Sequence, residues 1–233
     1  MIRTYRNATC IITGGASGIG KALGQALARK GAEVVLADLQ ADLVHETAEA
    51  IRLSGGNARA WTLDVRDGDA VEQLVASARR LDYVFANAGM GIMGEANLMQ
   101  RKEWDQLIDV NVRGVTNTVA AAYPRMVKQG YGHFIGTASV AGLMGTPFLA
   151  GYSMSKFAVV GLMKAMRIEG VRHGVRVTAL CPGAIRTPIL TGGAFGKTLY
   201  EMTDERKLAW WSKTRPGEVD VFAHEVHELL AKN

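Results

Sequence analysis

The stretch Ala8-Thr9-Cys10-Ile11-Ile12-Thr13-Gly14-Gly15-Ala16-Ser17-Gly18-Ile19-Gly20 decides how this chain folds. Its first five residues are an apolar, partly β-branched run of the kind that makes a buried strand. Glycines follow at once. Lys21-Ala22-Leu23-Gly24-Gln25-Ala26-Leu27-Ala28-Arg29-Lys30 then gives a helical pattern, stopped by Gly31. Strand, glycine loop and helix in this order form the setting in which a loop cradles a dinucleotide. Gly14 allows the tight turn, Gly18 lets a pyrophosphate approach the backbone, and Gly20 lets helix and strand pack closely. The helix amino terminus adds unpaired N–H groups and a partial positive charge. The spacing is Gly-x-x-x-Gly-x-Gly rather than the usual Gly-x-Gly-x-x-Gly, so the flanking strand and helix carry the assignment.

Working outward, Glu33-Val34-Val35-Leu36-Ala37-Asp38 makes a second strand. Asp38 falls where a carboxylate meets the ribose hydroxyls of an adenosine half, and such a carboxylate repels a 2′-phosphate. Ala16 and Ser17 add no cation to offset it. NAD is therefore expected over NADP. Strand and helix patterns alternate along the rest of the chain, as a parallel sheet with crossover helices requires. The expected fold is α/β, a single-domain, Rossmann-like, doubly wound parallel sheet.

A second constellation lies in Gly151-Tyr152-Ser153-Met154-Ser155-Lys156. In a helix, residues i and i+4 share a face, which brings the Lys156 ammonium near the Tyr152 phenol. A free tyrosine, with a pKa of about 10, is a poor base at neutral pH. A fixed cation favours the phenolate. Ser139, thirteen residues upstream, can hold a substrate oxygen opposite the phenol. Together these make a site for moving a proton on or off an alcohol or carbonyl oxygen.

With these motifs in place, the chain resembles the short-chain dehydrogenase/reductase family from about Asn7 to Lys232. The resemblance rests on five ordered matches: Thr13–Gly20, Asn87-Ala88-Gly89, Asn111 within Asp109–Gly114, Ser139 with Tyr152-x-x-x-Lys156, and Pro182-Gly183-Ala184-Ile185-Arg186-Thr187. It implies that Tyr152 is the general acid/base, that Lys156 lowers its pKa and holds the nicotinamide ribose, and that Ser139 polarises the substrate oxygen. Asn111 would hold a water that links Lys156 to a proton relay. Gly14, Ser17, Gly18, Ile19 and Gly20 would cradle the cofactor. Asp64 and Val65 would lie beside the adenine, and Asn87, Ala88 and Gly89 would line the groove. Pro182, Gly183, Ile185 and Thr187 would approach the nicotinamide end.

The chain departs from the family pattern in two places. Between Asp64 and Leu81-Asp82 it is about five residues short, with Val75–Arg80 running straight into the next strand pattern. The usual last parallel strand is missing after the final helix pattern. That puts a tetramer in doubt and leaves a homodimer through two long helices, about 101–129 and 151–173. Gly170 lies inside the second of these and weakens it locally.

Composition sets bounds. A chain of 233 residues, 48% hydrophobic and 21% charged, fits one globular domain. No apolar run approaches the roughly 20 residues of a membrane span, and the amino terminus lacks a signal-peptide core. A cytoplasmic location is expected. The formal net charge is +5, but Lys and Arg are scattered and no basic run with interleaved aromatics points to nucleic acid. Cys10 and Cys181 sit in apolar runs and are expected as buried free thiols. His224 and His227, at i and i+3 with no third ligand, are expected as solvated helix residues rather than a metal site; His133 and His173 should satisfy local backbone.

The longest segment beyond the sheet, residues 188–215, carries Leu190, Phe195, Leu199, Tyr200, Met202, Leu208, Trp210 and Trp211, with Gly192, Gly193 and Gly196 as a possible hinge. Met93, Leu143, Met144 and Phe148 are candidate walls opposite. A lid over an apolar pocket suits a lipophilic secondary alcohol or ketone. The functional expectation is an NAD-dependent alcohol/ketone oxidoreductase. The alternatives are an NADP-dependent carbonyl reductase and a non-catalytic dinucleotide-sensing protein.

Overall fold

The computed structural model describes residues 5–191 and 195–232. Six strands form one parallel sheet: β1 (Thr9–Thr13), β2 (Glu33–Asp38), β3 (Asn57–Thr62), β4 (Tyr83–Ala86), β6 (Gly132–Thr137) and β7 (Val175–Leu180). A separate pair comprises β5 (Gly91–Met93) and β8 (Gly196–Thr198). The main sheet runs in the order β3-β2-β1-β4-β6-β7. The winding reverses between β1 and β4, so the crevice at their carboxyl ends is the place where such sheets bind ligands. β1, β4 and β6 are buried along their whole length, as strands covered on both faces must be.

Helices α1 (Gly18–Arg29), α2 (Ala41–Leu53) and α9 (Val219–Lys232) cover one face. Leu23, Leu27, Leu36, Val44, Val226 and Leu230 meet there in one apolar cluster. On the other face α3 (Gly68–Ala76), α5 (Gly114–Gln129) and α6 (Ala150–Gly170) bring Leu74, Val115, Met126, Val159 and Met163 onto Ile11, Val84 and Phe134. This is the doubly wound arrangement expected. Among the described residues no seventh strand joins the main sheet, and β7 is an edge.

The short third helix is a finished element. The Asp67 carboxylate accepts the Ala70 N–H at its start (3.1 Å). The helix ends at Ala76, four residues before the Arg80 that the sequence pattern suggested. Arg80 pairs with the buried Asp82 instead, and the Arg125 guanidinium of α5 takes the carbonyls of Val75 and Ala78. A cation from the neighbouring helix thus satisfies acceptors that the missing turn would have used.

The expected helix over 101–129 is α4 (Arg101–Leu107) and α5 joined by a π-helical stretch, Ile108–Arg113. The second long helix stops at Gly170, and a 3-10 turn covers 171–173. Gly170 is a close-approach residue rather than a weak point: a Cβ there would lie 2.4 Å from the Val175 carbonyl oxygen.

His227 differs from expectation. It is buried, its ring faces the His224 carbonyl, and Tyr5 donates to its own carbonyl at 2.6 Å. His224 is exposed, and no group of potential metal ligands occurs among the described residues. His133 is also buried within β6, its Nε2 2.8 Å from Thr178 Oγ1, so a side chain and not local backbone is its partner. Cys10 is buried and Cys181 only partly so; both are free. No described helix is long and apolar enough to cross a membrane.

Candidate active site

A cavity of about 660 Å³ opens at the carboxyl ends of β1 and β4. At one end it is lined by Gly14, Ser17, Gly18 and Ile19. Gly14 and Gly18 have φ of +68° and +51°, a region that strongly favours glycine. Gly20 does not line the cavity. A Cβ on it would lie 2.1 Å from the Gly14 carbonyl oxygen, so it sets the approach of α1 to the loop. Ser17 begins α1 with no side-chain cap and no acidic residue in the first turn. The leading N–H groups are thus left to an anion. This cradle fits a dinucleotide pyrophosphate.

Asn87, after β4, stitches the loop to the sheet. Its Nδ2 donates to the Thr13 carbonyl (3.0 Å), and its Oδ1 accepts from Thr137 Oγ1 (3.1 Å). Thr13 Oγ1 in turn accepts from the N–H groups of Asn87 and Ala88 (3.0 and 3.1 Å). Asn87, Ala88 and Gly89 all face the cavity. So do Asp38, Asp64 and Val65. Asp38 is buried at the end of β2, where its oxygens accept from the N–H groups of Ala16 and Gln40, both at 3.0 Å. It therefore both holds the glycine loop and presents a carboxylate beside it. Leu39, not a cation, is the adjacent lining residue. Asp64 is bonded to the Arg66 guanidinium (2.6 Å), which holds its carboxyl below the usual range.

Ser139, Tyr152 and Lys156 all line the same cavity. Ser139 begins a 3-10 turn after β6: its Oγ accepts from the Ala141 N–H (3.1 Å) and donates to the Pro182 carbonyl (3.4 Å). Tyr152 and Lys156 share one face of α6, as their spacing predicts. The ammonium lies 5.6 Å from the centre of the Tyr152 ring and donates to the Thr137 carbonyl at 2.8 Å. Burial lowers its pKa to about 8. At Tyr152 burial raises the phenol pKa and the Ser139 hydrogen bond lowers it. The anticipated effect of Lys156 is not the leading influence, because the ammonium is turned toward Thr137.

Asn111 lies behind the cavity wall, fully buried in the π-helical stretch. Its Oδ1 accepts the Met90 N–H (2.8 Å), while its Nδ2 donates to the Met90 carbonyl (2.9 Å) and to Ser155 Oγ (3.0 Å). Ser155 Oγ donates on to the Tyr152 carbonyl (2.7 Å). The side chain is thus committed to holding α6 against the loop after β4. A Cβ on Gly89 would lie 3.3 Å from both Asn111 Oδ1 and Lys156 Nζ, so bare backbone separates the two. Pro182, Gly183, Ile185 and Thr187 line the cavity beyond Lys156.

The 188–215 segment forms α7 (Pro188–Thr191), β8 and α8 (Asp204–Ser212). Of its apolar residues, Ile189, Leu190, Phe195 and Trp211 reach the cavity, as do Met93 and Met144 opposite. Trp210 instead packs edge-on against Phe148 (6.4 Å), Phe148 meets Tyr200 in the same way (6.3 Å), and Leu208 and Leu143 are exposed. Gly192 and Gly193 lie outside the described residues. Gly196 is not a hinge: its missing Cβ would sit 2.1 Å from the Ile189 carbonyl oxygen. Sequence reasoning missed β5 and β8, three-residue strands too short to show a period. It also missed Lys197, whose ammonium bonds the buried Glu103 at 2.8 Å.

Residues 8–193 match the family model described as short chain dehydrogenase. An uncharacterized oxidoreductase of Listeria monocytogenes is 37% identical over 236 residues, covering 99% of this chain and 95% of its own. A short chain dehydrogenase/reductase from Burkholderia phymatum, solved in complex with NAD, superposes with a TM-score of 0.85 at 27% identity, covering 100% of this chain and 88% of that one. Levodione reductase gives 0.87 at 30% identity, with 97% and 91% covered. This chain belongs to the short-chain dehydrogenase/reductase family of oxidoreductases.

Proposed function

We propose that the protein is an NAD-dependent oxidoreductase that interconverts a secondary alcohol and a ketone, with the 188–215 segment as a lid over a largely apolar substrate. One observation carries the reading: Ser139, Tyr152 and Lys156 converge on the same cavity as the glycine cradle and Asp38. The nicotinamide supplies or accepts the hydride; the protein orients it and moves the proton. In oxidation the Tyr152 phenolate takes the hydroxyl proton as the carbon-bound hydrogen leaves with its electron pair. In reduction the phenol returns that proton to the carbonyl oxygen. Ser139 Oγ donates to the same oxygen and holds it against the phenol. Lys156, fixed at Thr137, supplies a buried positive charge that favours the phenolate. Asn111 positions α6, and with it Tyr152, through Ser155.

The preference for NAD rests on Asp38, buried at the ribose end and followed by Leu39. Fluorescence titration with NADH and NADPH, followed by turnover with a panel of apolar ketones, tests the reading. Tighter NADH binding with NADH oxidation is expected. Tighter NADPH binding overturns the cofactor assignment, and tight NADH binding with every ketone inert favours the dinucleotide sensor.

A further inference from the structure

The end of the cavity beyond Asp38 carries a charged pair that the proton chemistry does not use. Asp38 pairs with Thr62 across β2 and β3, and the Leu63 N–H donates to the Asp38 carbonyl at 2.8 Å. This register lays residues 63–66 beside the acidic end of β2. Leu39, Leu63, Asp64, Val65 and Arg66 all line the cavity there. A dinucleotide with its pyrophosphate on the glycine cradle and its nicotinamide toward Tyr152 lays its base at this end. Among the described residues, the carboxylates of the lining are Asp38 and Asp64. Asp38 already accepts the N–H groups of Ala16 and Gln40, which leaves Asp64 as the carboxylate for a base amino group.

Asp64 is itself filled. An ionised carboxylate accepts at about four positions. Arg66 meets all of them: its backbone N–H donates to Oδ1 (2.9 Å), its Nε to Oδ1 and Oδ2 (3.0 and 2.9 Å), and its Nη2 to Oδ2 (2.6 Å). The clasp stands on pinned backbone. The Asp67 N–H donates to the Asp64 carbonyl (3.1 Å), and Asn117 Nδ2 of α5 donates to the carbonyls of Val65 and Arg66 (2.9 and 3.2 Å). The two side chains are 28% and 51% exposed. An ion pair this open to water adds little to stability, so its consequence is for recognition.

We propose that Arg66 sets the base specificity of the cofactor site: by occupying Asp64 it leaves the 6-amino group of the adenine unread. The proposal rests on the dinucleotide reading above and concerns the end of the cofactor away from the chemistry. The purine is held by the apolar side chains around it. Removing the guanidinium frees the carboxylate, which then selects the amino group.

The test is fluorescence titration with NADH and with its purine analogue, in which hydrogen replaces the 6-amino group of the adenine. The wild type binds the two within about threefold of each other, since no hydrogen bond to the amino group is at stake. Arg66→Met keeps the aliphatic stem and removes the donors. It raises the preference for NADH to about tenfold, the size expected for one hydrogen bond to a partly exposed carboxylate. Adding Asp64→Ala to Arg66→Met returns the ratio to about one, which a general loosening of the loop does not do. A wild-type preference for NADH of about tenfold or more overturns the proposal, because Asp64 then reads the amino group despite Arg66. So does a ratio that stays near one in Arg66→Met. Either result, with both dinucleotides bound, leaves the dinucleotide reading standing. Failure of the wild type to bind either compound contradicts that reading and the proposal with it.

Discussion

Two charged residues in the cavity serve both structure and chemistry. Asp38 accepts two backbone N–H groups and lines the cavity beside the glycine loop. Asp38→Ala is expected to cost about 1–2 kcal/mol of stability from the orphaned donors and to shift the NADH-to-NADPH affinity ratio toward NADPH by at least about tenfold. Paired titrations and a denaturant melt check both. Lys156 is 3% exposed, and burial alone lowers its pKa from 10.5 to about 8. From 10.5 down to about 8 the unfolded chain takes the proton and the folded chain does not. This group therefore makes stability fall as pH drops through that window, and below it the buried charge costs up to about 3 kcal/mol. Lys156→Met should raise the denaturation midpoint at neutral pH while lowering turnover more than about 100-fold, a trade of stability for activity. The identities of Asp38, Ser139, Tyr152 and Lys156 were legible in the sequence because motif and spacing bring them together. Their hydrogen-bond partners were not, since Thr137, Pro182 and Ala16 contribute backbone groups that any side chain could supply.

At the scale of elements, the glycines sort into two kinds. Gly20 sets how α1 meets the cofactor loop: an added Cβ lies 2.1 Å from the Gly14 carbonyl oxygen and 2.8 Å from Asn87 Nδ2. Gly20→Ala should abolish tight NADH binding, by about 100-fold or more, and lower stability by about 2 kcal/mol. Gly196 sets how β8 meets α7. Gly196→Ala should raise KM for the substrate at least about tenfold with NADH affinity unchanged, because β8 lies in the substrate half. β1 and β2 were visible as apolar runs, and strand and helix patterns alternated along the rest of the chain; β3, whose residues are mostly only partly buried, gives no such run. The π-helical stretch at Ile108–Arg113 was not, since it keeps helical periodicity on both sides and differs by an extra residue in one turn. Nor was the end of α3, where Arg125 takes the Val75 and Ala78 carbonyls from about fifty residues away. Gly170 looked like a weak spot because sequence shows its low propensity and hides the carbonyl it must pass.

Over the whole molecule, the two ends of the sheet differ in what they carry. The carboxyl ends carry the cavity. Toward the amino ends lie Tyr5, Tyr83 and His133, which contact one another in sequence. Burial, with the charges of Arg176 and Arg167, lowers the His133 pKa from 6.5 to about 3. The unfolded chain takes up this proton near pH 6.5 and the folded chain only near 3. The contribution of this group to stability is thus whole above about 6.5 and is lost as pH falls toward 3, amounting to a few kcal/mol at most. His133→Leu combined with Thr178→Val, which removes both hydrogen-bonding partners, should flatten acid denaturation across that window. Such a change lies far from the cavity and should leave cofactor binding unaltered. The central claim joins cofactor and proton chemistry in one cavity, and the holoenzyme tests it most directly through Tyr152→Phe. Ketone-dependent NADH oxidation by wild type and variant is measured on preparations whose NADH affinity is titrated in parallel. The account predicts a loss of about 1,000-fold or more in kcat/KM with NADH affinity within about twofold; a variant that keeps the wild-type rate contradicts it.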